Sequence, residues 1–243
     1  MHFVSLVLAG AFALPPLASL PTMERLTYSA KPVYCAGARG RDVALTFDDG
    51  PSPYTLRLVR VLRRERARAT FFVVGSRVGI WPSAVRAASR VGVVGNHTWS
   101  HPHLARLSPG VVRSELERTQ WILRRMLGSV PRLFRPPYEQ ATPAQDRLVR
   151  SLSLLDVRWS VDSGDSRVGA RPGGVVRAVK RRLRPGAVVL LHDPHPWTPA
   201  VARTLIRVAR KNGLRLVTVP ELLARQPPSR HQLTARGVAR CPG

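Results

Sequence analysis

From Arg41 onward the chain alternates between short runs of β-branched and aromatic residues and longer stretches whose apolar positions recur every three or four residues. Val43 to Phe47 reads as a strand that stops at the turn Asp48-Asp49-Gly50-Pro51. Tyr54 to Glu65 follows as a helix with Leu58, Val59 and Leu62 on one face. Further strands are expected at Thr70 to Val74, Val91 to Val94, Leu133 to Arg135, Asp156 to Val161, Ala187 to Leu191 and Leu214 to Val219. Further helices are expected at Pro82 to Ser89, Pro109 to Leu127, Pro143 to Ser151, Pro172 to Leu183 and Thr198 to Asn212. Ser108 and Gly128 bracket the longest of these as N-cap and stop. Repeated strand–helix units with short connections favour an α/β domain on a parallel sheet, and their number favours a closed or nearly closed barrel. No linker divides the region, so a single domain is expected.

A length of 243 residues suits one such domain with short tails, and a hydrophobic fraction of 44% is ordinary for a chain that buries a real core. Charge is less ordinary. There are 39 Lys and Arg against 14 Asp and Glu, a formal net charge of +25 carried almost wholly by Arg. Such a field draws in polyanions, and nucleic acid, anionic cell-wall polymers and anionic membrane surfaces all satisfy it. The basic residues lack the interleaved aromatics of a single-strand nucleic-acid groove, which counts against nucleic acid.

Phe3 to Leu14 is an apolar run followed by Pro15, Pro16 and the small residues Ala18 and Ser19, which resembles the core and cleavage region of a secretory signal. No Lys or Arg precedes it and no Ala-x-Ala site follows, so an uncleaved anchor or a buried N-terminal helix stay open. No other stretch approaches the roughly 20 apolar residues that span a bilayer. Cys35 and Cys241 bracket the globular region. In an oxidising compartment they can form one disulfide, worth on the order of 4–5 kcal/mol in the chain-entropy model; two unpaired thiols are the alternative. The organisation expected is a signal peptide or anchor and leader over residues 1–30, one domain over 31–225, and an irregular basic tail over 226–243 that the disulfide would tie back.

Each polar motif follows a predicted strand, at the end where barrel and doubly wound α/β proteins place their sites. Thr46-Phe47-Asp48-Asp49-Gly50-Pro51 sets two adjacent carboxylates there, able to divide metal binding and base duty, although Asp-Gly-Pro is equally turn chemistry. Asn96-His97-Thr98-Trp99-Ser100-His101-Pro102 puts two histidines four apart, where a helical turn lets them grip one cation. One Asp added to them makes a His2Asp set with positions open for water and substrate, as a catalytic metal requires. His103 lies close by, out of phase, and reads as structural. In Arg135-Pro136-Pro137-Tyr138 the Arg can hold a carboxylate by a two-pronged contact. Asp162-Ser163-Gly164-Asp165 and Val189-Leu190-Leu191-His192-Asp193 complete the set. His192 alone reads more simply as a satisfied core histidine; beside a carboxylate it would stay protonated and able to act as an acid.

In this order the five segments resemble the motif series of the polysaccharide deacetylases, carbohydrate esterase family 4, over roughly Arg41 to Leu223. The resemblance implies a distorted (β/α) barrel and one divalent metal ion, commonly Zn2+, with Co2+, Ni2+ or Mn2+ as substitutes. By position it makes Asp49, His97 and His101 the metal ligands, Asp48 the general base and Arg135 its orienting partner. It makes His192 the general acid, tuned by Asp165, while Leu190 borders the acetyl pocket and the Tyr138 backbone N–H helps hold the oxyanion. Two positions depart from the family pattern. Ser166 stands where a Trp usually follows the second Asp of the fourth motif, and Glu139 where a Gly usually follows the Tyr. Trp197, five residues past His192, is a candidate to fill the first gap and join the substrate site. Glu139 adds a carboxylate to the groove.

The activity so implied is hydrolysis of the acetamide of N-acetylglucosamine units, with peptidoglycan the first substrate expected and chitin or chitooligosaccharide the second. The agent would be a monomer, secreted or associated with the cell wall, that also meets anionic wall polymers. Two other readings stand beside it: an O-acetyl esterase of xylan-like glycans, and a non-catalytic polyanion binder whose motifs are remnants. Decay of that kind usually removes a ligand or the base first, and all of these positions are filled.

Overall fold

The computed structural model describes residues 22–29, 31–234 and 241. The apolar run expected as a signal or anchor lies outside the described residues. Among those described, eight parallel strands form one sheet: β1 (Asp42–Gly50), β2 (Ala69–Val73), β3 (Gly92–Asn96), β4 (Leu133–Phe134), β5 (Leu155–Asp156), β6 (Val161–Asp162), β7 (Val188–His192) and β8 (Arg215–Leu216). Their order is β5-β4-β3-β2-β1-β7-β6, with β8 paired to the first two residues of β1. The helices are α1 (Thr22–Tyr28), α2 (Thr55–Arg64), α3 (Gly75–Val78), α4 (Pro82–Val91), α5 (Pro109–Leu127), α6 (Pro143–Ser151), α7 (Pro172–Arg182), α8 (Thr198–Lys211), α9 (Val219–Arg225) and α10 (Arg230–Thr234). The distorted (β/α) barrel expected from the motifs is the fold found.

Barrel closure is incomplete, because β5 and β6 are the two edges of the ladder. Residues 33–36 run beside that gap, from the end of β5 to the residues just before β7. Val33 N–H donates to Asp156 O (2.9 Å), Arg158 N–H donates back to Val33 O (2.7 Å), and Ala36 N–H reaches Gly186 O (2.9 Å). These bonds satisfy edge groups that would otherwise stand open.

Alternation along the strands sorts the core. Val43, Leu45 and Phe47 of β1, Phe71 of β2 and Val189 and Leu191 of β7 pack outward with α2, α4, α7 and α8 in the largest apolar cluster. Ala44, Phe72 and Val188 point the other way, into a second cluster completed by Leu26 of α1 and Val219, Leu222 and Leu223 of α9. Period-2 alternation then carries the inward series of β1 from Ala44 through Thr46 to Asp48, and that of β7 from Val188 through Leu190 to His192. The interior is thus apolar at the N-terminal mouth and polar at the C-terminal one.

The structure departs from the sequence pattern in its last third. The strand expected over Asp156 to Val161 is two short strands, β5 and β6, separated by a turn in which the buried Arg158 pairs with Asp156 at 2.8 Å. The final strand stops at Leu216 because Thr218 and Glu221 form a capping box that starts α9. The tail from Gln226, expected to be irregular, contains α10, opened by a reciprocal Ser229–Gln232 pair. Gln226 itself is buried: its Oε1 accepts from Asp42 N–H (2.8 Å) and its Nε2 donates to Gly37 O (2.6 Å). At the other end α1, within the segment expected as leader, packs Leu26 into the second cluster.

Cys35 and Cys241 are bonded across a sequence separation of 206, which fixes the chain end to the 33–36 segment. Reduction of this bond, or its replacement in C35S/C241S, is expected to destabilise the fold by roughly 4–5 kcal/mol on the chain-entropy model. Thermal melting with and without reductant measures it; an unchanged midpoint would show the closure contributes nothing.

Candidate active site

The C-terminal ends of β1, β3, β4 and β7 converge. Asp48 and His192 are registered neighbours on β1 and β7, and Arg135 N–H donates to Asn96 O (3.0 Å), joining β4 to β3. In a regular strand Asp48 and Asp49 would face opposite sides. Here the register with β2 shifts between Phe47 and Gly50, and Asp49 takes a left-handed conformation with φ of 66°. Such an irregularity re-aims a side chain. Both carboxylates consequently approach His97 Nε2, Asp49 Oδ1 at 3.2 Å and Asp48 Oδ2 at 4.0 Å.

His101 Nε2 lies 2.9 Å from the same Asp49 oxygen, and the three ligand atoms are all within 4.8 Å of one another. The two histidines meet by loop geometry rather than on a helix, since Thr98 and His101 both have positive φ (67° and 62°). Asn96 and Glu115 hold that loop. Asn96 Oδ1 accepts from Thr98 N–H (2.8 Å), while Glu115 Oε2 accepts from Trp99 and Ser100 N–H (2.9 and 2.8 Å).

The donor chemistry suits a metal ion. His97 Nδ1 sits 2.7 Å from the Arg135 carbonyl, which can only accept, so Nδ1 carries the hydrogen and Nε2 of the neutral ring presents a lone pair. That lone pair faces Asp49 Oδ1, a buried oxygen with no well-formed hydrogen bond among the described residues. Acceptor facing acceptor calls for a cation between them, and one carboxylate with two imidazoles is a usual set for zinc.

Asp48 is held from the other side. Arg135 has no exposed surface, and its NH1 donates to Asp48 Oδ1 and Thr46 Oγ1, both at 2.7 Å. Its Nε donates to Val157 O (2.8 Å) and its NH2 to Arg158 O (3.0 Å), while the Phe72 ring lies 4.2 Å beneath the guanidinium carbon. Burial lowers the Arg135 pKa, and the Asp48 charge works against that.

Across the cleft His192 Nδ1–H donates to Asp165 Oδ1 at 2.6 Å, and His192 N–H donates to Asp165 Oδ2 at 2.7 Å. Burial alone would lower the imidazole pKa. The Asp165 hydrogen bond and charge, helped by Asp48 and Asp49, outweigh it and push the group up to about 9. His192 is therefore protonated at neutral pH while Asp49 is ionised.

These groups share a cavity of about 450 Å³ lined also by Pro136, Tyr138, Glu139, Trp159, Asp162, Ser166, Leu190, Pro194 and His195. Leu190, Tyr138, Glu139 and Ser166 all border this cavity. Tyr138 and Glu139 both adopt positive φ (58° and 59°). Trp197 requires a correction. It does not line the cavity but stacks on His195, centroids 4.5 Å apart, because it caps α8 and packs into the outer core. Trp159, Pro194 and His195 line the cavity as well, outside the residues that the motifs single out.

Asp193 was also missed, though it stands beside His192 in the fifth motif. Its carboxylate accepts from Ser52 Oγ and from Thr55 Oγ1 (2.8 Å to Oδ2), which ties the turn after β1 to β7. A Cβ on Gly50 would come within 2.9 Å of Asp193 Oδ2, so a larger residue there would have to displace that carboxylate.

A family model described as polysaccharide deacetylase matches residues 36–157, half of the chain. The chain belongs to the polysaccharide deacetylase family. Within that family, a peptidoglycan-N-acetylglucosamine deacetylase of Bacillus cereus is 33% identical over 187 residues, covering 74% of this chain and 68% of that protein. A chitooligosaccharide deacetylase of Bradyrhizobium is 38% identical over 203 residues, covering 75% and 90%. Longer relatives match too, and the chain spans 38% of their length. Among solved structures, the Bc1960 peptidoglycan N-acetylglucosamine deacetylase superposes with a TM-score of 0.73 at 32% identity, covering 78% of this chain and 91% of that one. The family-model match ends before Asp165 and His192, so that pair rests on the geometry above.

Replacing Arg135 with Met leaves Asp48 buried without its cation. The expected cost is about 3–5 kcal/mol of stability, as for other broken buried pairs. Urea unfolding at pH 7 measures it, and a change under 1 kcal/mol would mean that water enters the interior and solvates the carboxylate.

Proposed function

We propose that this chain removes N-acetyl groups from N-acetylglucosamine units of a cell-wall glycan, peptidoglycan first and chitooligosaccharide second, outside the cell or at the wall. The single observation that carries this is one cleft holding a three-ligand cation site, a buried Arg-bound carboxylate and a protonated His–Asp couple.

Asp49, His97 and His101 would hold a divalent ion, zinc by donor preference, which when bound supplies Lewis acidity to a water and to the acetamide carbonyl. Asp48 would take the proton of the attacking water. Its Oδ1 is occupied by Arg135, so Oδ2, on the His97 side, is the oxygen left for that transfer. Arg135 keeps the carboxylate oriented through the reaction. The Tyr138 backbone N–H would donate to the oxyanion as the carbonyl becomes tetrahedral. His192 would deliver its proton to the leaving amine, with Asp165 holding the ring by Nδ1 so that Nε2–H faces the substrate. Leu190 would contact the acetyl methyl group. Beyond the cleft, the charge of +25 supports association with anionic wall polymers.

Acetate release from peptidoglycan and from chitopentaose is the direct test. Release should vanish with chelator, return with zinc, and fall about 10²–10⁴-fold in Asp48→Asn, the range of general base catalysis. No release from either glycan, or from acetylated xylan, by metal-loaded protein would sink the reading.

The His192 shift predicts an alkaline limb. Activity should hold through neutral pH and decline as pH rises through about 9, where the acid loses its proton. Asp165→Asn should move that limb downward, because burial then acts with less opposition. Any stability linked to the raised pKa is fully present below the ordinary value of 6.5 and is lost through the same window. A pH–rate profile with the limb unmoved in Asp165→Asn would assign it to another group.

A further inference from the structure

We infer that His195 is a further substrate-contact residue, a flat platform for a sugar ring, and that Trp197 is its positioning residue; the inference rests on the deacetylase reading above. His195 sits in the turn 193–197 between β7 and α8. Both sides of that turn are fixed, His195 N–H donating to Asp193 O at 2.8 Å and Thr198 N–H donating to His195 O at 3.1 Å. The imidazole lies on the Trp197 indole, with centroids 4.5 Å apart and planes 4° from parallel. Trp197 in turn packs against the outer apolar core, so the backing is rigid.

A ring stacked in this way has one face covered. His195 lines the cleft beside Pro194 and His192, and with one face taken by Trp197 it is the opposite face that remains for a ligand. The stack on Trp197 fixes the plane of the His195 ring. An uncovered aromatic face, half-buried at the rim of a polar cleft, suits the C–H face of a pyranose, whose weakly positive hydrogens meet the negative ring face. Tyr138 and Trp159 supply the cleft's other aromatic surfaces. His195 therefore grips the sugar rather than the reacting amide.

Kinetics on chitopentaose separate those roles. His195→Ala should raise KM about five- to tenfold while kcat falls less than about threefold, the signature of lost binding common to ground and transition states. His195→Phe should return KM to within about twofold of the parent, since the ring face is kept. Trp197→Ala should raise KM as His195→Ala does, and H195A/W197A should add little to either, because both remove one platform. Trp197→Phe, which keeps an aromatic backing, should restore KM and controls for loss of core packing. Binding of chitopentaose to each variant in an inactive Asp48→Asn background, by titration calorimetry, should follow the same order. If the parent enzyme releases acetate but His195→Ala leaves KM unchanged, or Phe fails to restore it, the platform is overturned and the deacetylase reading stands. If the parent releases none, the broader reading fails first.

Discussion

The bond between Arg135 and Asp48 constrains more of this molecule than any other. Arg135 follows β4 and Asp48 lies near the end of β1, with β3 and β2 between them in the sheet. In a flat sheet strands three positions apart are separated by about 14 Å, beyond the reach of the side chains. A contact of 2.7 Å exists only because the sheet curls and brings both residues into one interior. The same guanidinium binds carbonyls at Val157 and Arg158, just past β5, so it touches three separate parts of the barrel. A buried pair of this kind adds little net stability over an apolar one, but it penalises every arrangement that leaves a charge unpaired. Curl, register and the orientation of Asp48 are thereby set together.

Backbone strain accompanies this order and is concentrated in the motif loops. Asp49, Thr98, His101, Tyr138 and Glu139 all have positive φ without being glycine. Each such residue is unfavourable by about 1–2 kcal/mol, and persists only where its surroundings leave no alternative. Those surroundings are identifiable. Arg77 donates to Asp49 O, Asn96 and Glu115 hold the histidine loop, and Arg158 NH1 donates to Glu139 O at 2.6 Å. The strain turns Asp49 away from the strand's alternation, which lets two adjacent carboxylates serve the same imidazole from different directions.

Much of this was legible in the sequence, for definite reasons. α5 and α6 match their expected bounds because each opens with Pro and has a clear stop, Gly128 in the left-handed conformation after α5 and the Ser153–Leu154 break after α6. The inward series Ala44–Thr46–Asp48 and Val188–Leu190–His192 follow from period 2 alone. The ends of the chain were harder. Ser229-x-x-Gln232 and Thr218-x-x-Glu221 are short capping signals, set among Pro and Arg that read as loop. The break between β5 and β6 depends on the Asp156–Arg158 pair, a contact two residues apart that no periodicity announces. Distance along the chain from His192 does not say which way a turn directs its side chains, and Trp197 stacks on His195 and packs against the outer core. His195, two residues earlier, faces the cleft instead.

Charge is divided in a way that composition hides. The cleft is lined by Asp48, Asp49, Glu139 and Asp162 and by four histidines, with no Lys or Arg among its lining residues, although 39 occur in the chain. Arg135, the cation nearest the base, is sealed beneath the cleft and already engaged by four acceptors. Surface charges act over roughly a Debye length of 8 Å at physiological salt, whereas groups inside a low-dielectric cleft interact more strongly over shorter range. A positive exterior and a locally negative site can therefore coexist. The excess positive charge lies outside the cleft, and the cleft keeps its carboxylates with no ammonium or guanidinium group among its lining residues. Glu139 extends that negative lining to the rim, where a basic residue would instead have offered a second partner to Asp48 and Asp49.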